Sequence, residues 1–158
     1  MTDAYDVPYM ERTRDYYRAQ GYTTDYQWAH FEDTPFQPLL KSVAESRLAV
    51  ITTAMPDTEE GRRNRQVYAT PVTPVPESMY TDELSWDKAT THTRDVNSFL
   101  PLRQLEKLVA EGVLGNIASH FYSAPTEYSK RATTEQDAPE ILRLCREDRA
   151  DIALLVPL

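Results

Sequence analysis

Ala150-Asp151-Ile152-Ala153-Leu154-Leu155-Val156-Pro157-Leu158 sets the reading of the whole chain. Its apolar run has the length and composition of a buried β-strand, and a strand apolar on both faces belongs in a parallel sheet covered by helices. In open sheets of that kind, ligands and reactive groups gather just beyond the carboxyl ends of the strands. No helix follows this strand in the sequence. The expectation is therefore a sheet incomplete at its C-terminus, with its chemistry due just past Leu158.

Working back from this strand, a helix is expected from about Asp137 to Asp148, with Ala138, Ile141, Leu142 and Cys145 on one stripe. That stripe puts Cys145 on the core face as a small buried hydrophobe rather than a reactive thiol. His120-Phe121-Tyr122-Ser123, closed by Pro125, reads as a strand. Before it, Pro101 opens a helix in which Leu102, Leu105, Leu108 and Val109 recur at helical spacing, and Gly112 and Gly115 end it. The first core strand is Arg47-Leu48-Ala49-Val50-Ile51-Thr52-Thr53-Ala54, rich in β-branched residues and finishing in hydroxyls. A short helical turn is expected at Ser42 to Ser46 just ahead of it.

Between Met55 and Lys88 the pattern dissolves into Pro56, Pro71, Pro74 and Pro76, charges, and one short strand expected near Val67 to Thr70. The basic patch Arg62-Arg63-Asn64-Arg65 reads there as a solvated loop rather than an anion site. At the other end, Pro8 to Gln20 has helix-forming character with Gly21 as its stop. Tyr9, Tyr16, Tyr17, Tyr22, Tyr26 and Trp28 make this region aromatic, and an arm packed over the core is the expectation.

Strand, excursion, helix, strand, helix, strand is the alternation of a parallel sheet with right-handed crossovers. The fold expected is α/β, a Rossmann-like or flavodoxin-like, mostly parallel three-layer sheet. It forms a single domain over 1–158, made of an arm (1–41), the first strand region (42–54), the excursion (55–90) and the core (91–158). The strand ends at Thr52-Thr53, Ser123-Ala124 and Pro157-Leu158 should then share one rim.

Composition narrows the function classes. The chain has 158 residues, is 41% apolar and carries a formal net charge of −8, which fits one domain and argues against a binder of nucleic acid or anionic lipid. Its acidic start lacks the basic and apolar regions of a secretory signal, and no apolar run has membrane-spanning length, so a cytoplasmic location is the default. One cysteine cannot form an internal disulfide or a thiolate metal cage. With four glycines and no phosphate-binding glycine loop, nucleotide binding by the usual route is disfavoured. No cofactor and no metal are expected.

Thr91-His92-Thr93-Arg94-Asp95-Val96-Asn97-Ser98-Phe99 stands out for its density of hydrogen-bonding side chains directly before Pro101. At a helix N-terminus it could hold an anionic group, with Arg94 gripping a carboxylate and His92 titrating near neutral pH. Alternatively, Asp95, Asn97 and Ser98 serve only to cap the helix start, and Arg94 pairs with a neighbouring acid.

The run Thr93-Arg94-Asp95-Val96-Asn97-Ser98-Phe99-Leu100-Pro101-Leu102 resembles the selenoprotein B family of the glycine, sarcosine, betaine and D-proline reductases. Arg12-Thr13-Arg14, Tyr17, Gly21-Tyr22 and Trp28-Ala29-His30-Phe31 are similar to that family's opening, and Ser46 to Ala54 to its first core strand. Gly112-Val113-Leu114-Gly115, Asp137-Ala138-Pro139-Glu140-Ile141-Leu142 and Leu155-Val156-Pro157 continue the likeness, so that nearly the whole chain is covered. The chain departs from the family in having no glycine after Ala54 or after Ser123.

The resemblance implies reductive cleavage of a C–N bond in an amino acid or amine, carried out with a partner reductase subunit or in a homo-oligomer. In that family a strand like Leu154 to Leu158 is followed by a selenocysteine or cysteine, two residues, then cysteine and histidine at the start of a helix. That placement lowers the pKa of the chalcogen. The catalytic nucleophile is accordingly expected beyond Leu158. Two alternatives stand: a chain ended by reading a selenocysteine UGA codon as a stop, or a naturally short, non-catalytic homologue acting as an interaction module. Substrate-binding candidates are Thr52, Thr53, His92, Arg94, Asp95, Asn97 and Ser123.

Overall fold

The computed structural model describes residues 8–25, 30–34, 37–84, 92–126 and 129–158. The chain divides into two compact units, residues 1–36 and residues 37–158.

In the first unit, helix α1 spans Tyr9–Ala19 and Gly21 follows it at φ 90°, a left-handed backbone that favours glycine. The Arg18 guanidinium grips Asp25 through two nitrogens, and the Tyr17 ring meets Tyr16 and Tyr22 edge-on at 5.5 and 5.6 Å between centroids. Within this unit Tyr9, Tyr16 and Tyr22 are exposed, and no residue of α1 is buried. Their phenols keep one edge wet, as amphipathic rings on a charged helix can. Tyr26 and Trp28 lie outside the described residues.

The second unit is built on a mixed five-stranded sheet. Its centre is β1 (Arg47–Thr52), introduced by a 3₁₀ turn at Val43–Glu45 where Ser42 and Glu45 cap each other. Along one side of β1 run β5 (Asn116–Ile117) and β6 (His120–Ser123), both parallel to it, and along the other runs β7 (Ile152–Val156), also parallel. β3 (Tyr68–Pro71) adds to β6 antiparallel. The short strand β5 has no counterpart in the sequence reading, because two residues carry no periodicity.

Helices cover the two faces. α3 (Leu102–Ala110) presents Leu102 and Leu105 to the face carrying Leu48, Val50, Phe121, Ile152 and Val156, and Phe99 and Leu100 complete this sealed core. α5 (Ala138–Glu147) lays Ile141, Leu144 and Cys145 on Ala49, Ile51, Ala118 and Tyr122 of the opposite face. α5 continues a short helix α4 (Lys130–Ala132) through a π turn at Thr133–Asp137, which lengthens the helix expected to begin near Asp137. Gly115 must be small: a β-carbon there would sit 2.7 Å from the Ser46 carbonyl oxygen.

Two expectations need correction. β7 is not apolar and buried on both faces but is the sheet's edge among the described residues. Ile152, Leu154 and Val156 are half-buried, Ala153 is exposed and Leu155 is 67% exposed. The stripe of α5 reaches Ala49, Ala118 and Tyr122 and leaves a groove of about 440 Å³ beside Leu155, lined by Ile51, Pro125, Ile141, Leu142 and Cys145.

Second, much of the excursion is built rather than a featureless loop. β2 (Met55–Pro56) pairs antiparallel with β4 (Met79–Tyr80), and α2 (Glu59–Arg63) lies between them in sequence, capped by the Thr58 hydroxyl. The arginines are exposed, as expected, but Arg62 and Arg63 end α2 rather than sit in a loop. Arg62 binds Asp57 and lies over the Tyr80 ring, Arg63 pairs with Glu59, and Arg65 reaches the buried Asp137 at 2.8 Å. Residues 85–88 of the excursion lie outside the described residues. No helix among the described residues is long and apolar enough to cross a membrane.

Candidate functional site

Parallel pairing aligns the strand ends in the way the sequence reading expects. Thr52 is in register with Ser123 on one side and Val156 on the other, and the Ala124 N–H donates to the Thr52 carbonyl at 2.8 Å. The carboxyl ends of β1, β6 and β7 therefore form one rim. The Thr52 hydroxyl is buried and turned back to the backbone, accepting the Ala54 N–H at 3.3 Å. Thr53 faces the other way in use: its hydroxyl accepts the Leu158 N–H at 2.9 Å, which ties the outgoing end of β7 to the end of β1.

Ser123 is fully buried, and its hydroxyl is one of two buried side-chain polar atoms without a partner among the described residues. The other is Asn97 Oδ1. A buried hydroxyl without a partner forgoes roughly 1–3 kcal/mol of hydration, so its retention at a strand end marks this rim as a place to look for a ligand.

Past Thr53 the backbone runs straight into β2, which brings its partner β4 alongside. A cavity of about 140 Å³ lies here, lined by Thr53, Met55, Tyr80, Thr81, Glu83, Leu84 and Thr126. Four hydroxyls and one carboxylate converge on a space of a few heavy atoms. Burial, together with the negative charges of Glu83 and Asp82, pushes the Tyr80 phenol above its ordinary value and keeps it a neutral donor.

The Thr91–Phe99 loop joins this rim through Thr93, whose hydroxyl lies 2.7 Å from that of Thr81. His92 and Arg94, on either side of Thr93, are exposed and do not line the cavity. Asp95 acts as a cap, taking the Asn97 N–H at 3.1 Å and the Asn97 side-chain amide at 3.2 Å. What it caps is the 3₁₀ turn Val96–Ser98; α3 starts at Pro101 with no side-chain cap. Of the seven candidates, Thr52, Thr53 and Ser123 are brought together by the register, whereas Asp95 and Asn97 are engaged with each other. Thr91 lies outside the described residues. Tyr80, Thr81, Glu83 and Thr126 were not legible in the sequence, since two-residue strands and loop positions leave no pattern.

Cys145 is half-buried in the groove beside α5, away from this cavity. Burial, and then the charge of Asp148, raises its thiol pKa, the opposite of what a nucleophile needs. Among the described residues no group of three or more His, Cys, Asp or Glu could hold a metal ion. No family model, no curated protein and no solved structure matches the chain.

Proposed function

We propose that this chain is the substrate-side part of a selenoprotein-B-like reductase. The reading includes a Rossmann-like or flavodoxin-like sheet whose rim receives an amino acid or amine, and a selenocysteine or cysteine nucleophile directly after Leu158. The observation that carries it is the hydrogen bond from the Leu158 N–H to Thr53 Oγ1. Whatever residue follows Leu158 enters beside the cavity of Thr53, Tyr80, Thr81 and Glu83. A helix starting there would aim its free N–H groups at the chalcogen and favour the anion.

In this reading Thr53 positions the nucleophile segment. The cavity hydroxyls and Glu83 orient the amine side of the substrate, and Arg94, next to Thr93, offers its guanidinium to the carboxylate. The test uses the full coding frame with cysteine at position 159. Its alkylation rate, followed against pH, should report a thiol titrating well below the ordinary value of about 8.5. A thiol at or above that value overturns the reading. Arg94→Ala in the same protein should lower kcat/KM about tenfold or more, and unchanged kinetics removes Arg94 from the site.

A second reading, a non-catalytic interaction module, draws on the free edge of β7. The Leu48 and Thr52 carbonyls turn to β5 and β6, accepting the Ala118 and Ala124 N–H groups, so their register partners Ile152, Leu154 and Val156 bond β1 and the N–H and C=O groups of Ala153 and Leu155 face outward. No charge or proline guards Ile152–Val156. Two copies would pair antiparallel about Leu154 with every outward group matched. A 158-residue chain that sediments only as a monomer at high micromolar concentration rules this module out.

A further inference from the structure

At the opposite rim, where β1 and β7 begin, an open cavity of about 370 Å³ is lined by Lys41, Ala44, Glu45, Ser46, Arg47, Gly115, Asn116, Arg149 and Asp151. Three cations face it from three separate parts of the chain: the segment before the first 3₁₀ turn, the start of β1, and the turn after α5. Two carboxylates share the cavity, and both are already occupied. Asp151 takes Lys41 at 2.7 Å and the Arg47 N–H at 2.8 Å, while Glu45 takes the Ser42 N–H and hydroxyl at 3.2 and 2.7 Å.

The cations are less fully used. Arg47 donates one guanidinium nitrogen to the Asp148 carbonyl at 3.0 Å, which leaves the rest of its fork. Arg149 pairs with no carboxylate among the described residues. Asn116 spends its carbonyl oxygen on the Ile117 N–H at 2.8 Å, leaving its amide N–H groups as donors.

Arg149 has a second peculiarity. It occupies the left-handed position that closes α5, φ 56°, with the Ala150 N–H returning to the Cys145 carbonyl at 2.8 Å. That closing position is normally given to glycine, since a β-carbon resists it. The chain holds an arginine in a conformation it disfavours and sets it on the wall of a cavity already lined by Lys41 and Arg47.

We infer that this cavity binds a phosphate group, held between Arg149, Lys41, Arg47 and the Asn116 amide. Several cations converging from different elements suit a tetrahedral anion with oxygens on all sides better than a planar carboxylate, which a single arginine fork satisfies. The site is independent of the reductase reading, because it lies at the amino ends of the strands.

The test is calorimetric titration of the 158-residue chain with inorganic phosphate, and in parallel with acetate, each against sodium chloride at matched ionic strength. Phosphate should bind with a measurable heat and raise Tm, and acetate should do neither. Arg149→Gly should remove the left-handed strain and so melt at or above the wild-type temperature without phosphate, yet bind phosphate about tenfold more weakly or worse. Lys41→Gln should weaken it comparably. Absence of phosphate binding by the wild type, an equal response to acetate, or undiminished affinity in a folded Arg149→Gly variant overturns the assignment.

Discussion

The two rims of one sheet are finished in different ways. At the amino ends, the carboxylates are tied off. The Asp148 carboxylate at the end of α5 receives the His120 N–H at 2.9 Å, the His120 ring nitrogen at 3.0 Å and the Tyr122 hydroxyl at 2.9 Å, while Asp151 binds Lys41 and the start of β1. At the carboxyl ends there are hydroxyls and few charges: Thr53, Tyr80, Thr81 and Thr126 around a small cavity, and Ser123 buried without a partner among the described residues. One end spends its carboxylates on holding helix to strand and strand to the preceding segment. The other spends its hydroxyls on backbone N–H groups and on one another, and leaves Ser123 without a partner among the described residues.

The sharpest way to break this contrast is at Asp148. Asp148→Ala strips the acceptor from three donors that tie α5 to β6 and should cost about 2–4 kcal/mol in denaturant unfolding. A loss under about 0.5 kcal/mol would mean that the amino rim carries no special stability. Acid titration sharpens the same point. Burial works to raise the Asp148 carboxyl, but the Tyr122 and His120 hydrogen bonds outweigh it, and its pKa is lowered. Lys41 and the Arg47 N–H lower that of Asp151. A depressed folded-state pKa contributes stability above the unfolded value and loses it as pH falls through the folded one. Stability should therefore fall with a component below about pH 4, and Asp148→Asn should flatten that component. An acid-unfolding curve unchanged by the substitution would contradict the assignment.

At the carboxyl rim the effects should be smaller in stability and larger in function. Thr53→Val removes the acceptor of the Leu158 N–H and should cost about 0.5–1.5 kcal/mol. Ser123→Ala deletes a hydroxyl with no partner and should be neutral or slightly stabilising, within about 0.5 kcal/mol. A Ser123→Ala variant destabilised by more than about 2 kcal/mol would show that the hydroxyl has a structural partner after all.

The sequence carried the skeleton because long elements repeat their signals. The stripe Leu102, Leu105, Val109, the run Leu48 to Thr52 and His120–Ser123 all sit where spacing put them. β7 was legible as a strand but not as an edge. Composition reports how apolar a strand is, whereas its neighbours are set by where α5 stops. The excursion hid its order because β2 and β4 are two residues each and are paired across 22 intervening positions, a non-local match that no local period encodes. The same blindness hid Tyr80, Thr81 and Glu83, which become cavity residues only once β4 lies beside β2. Thr52, Thr53 and Ser123 were accessible because a strand end followed by a breaker fixes a rim position without any side-chain geometry.

The most direct test of the central claim is the coding sequence of the source DNA, read in frame past the Leu158 codon. The reductase account predicts a selenocysteine UGA or a cysteine codon there, two further codons, then cysteine and histidine opening a helix. An ordinary stop with no coding potential beyond it, or a continuation without selenocysteine or cysteine at that position, would contradict it.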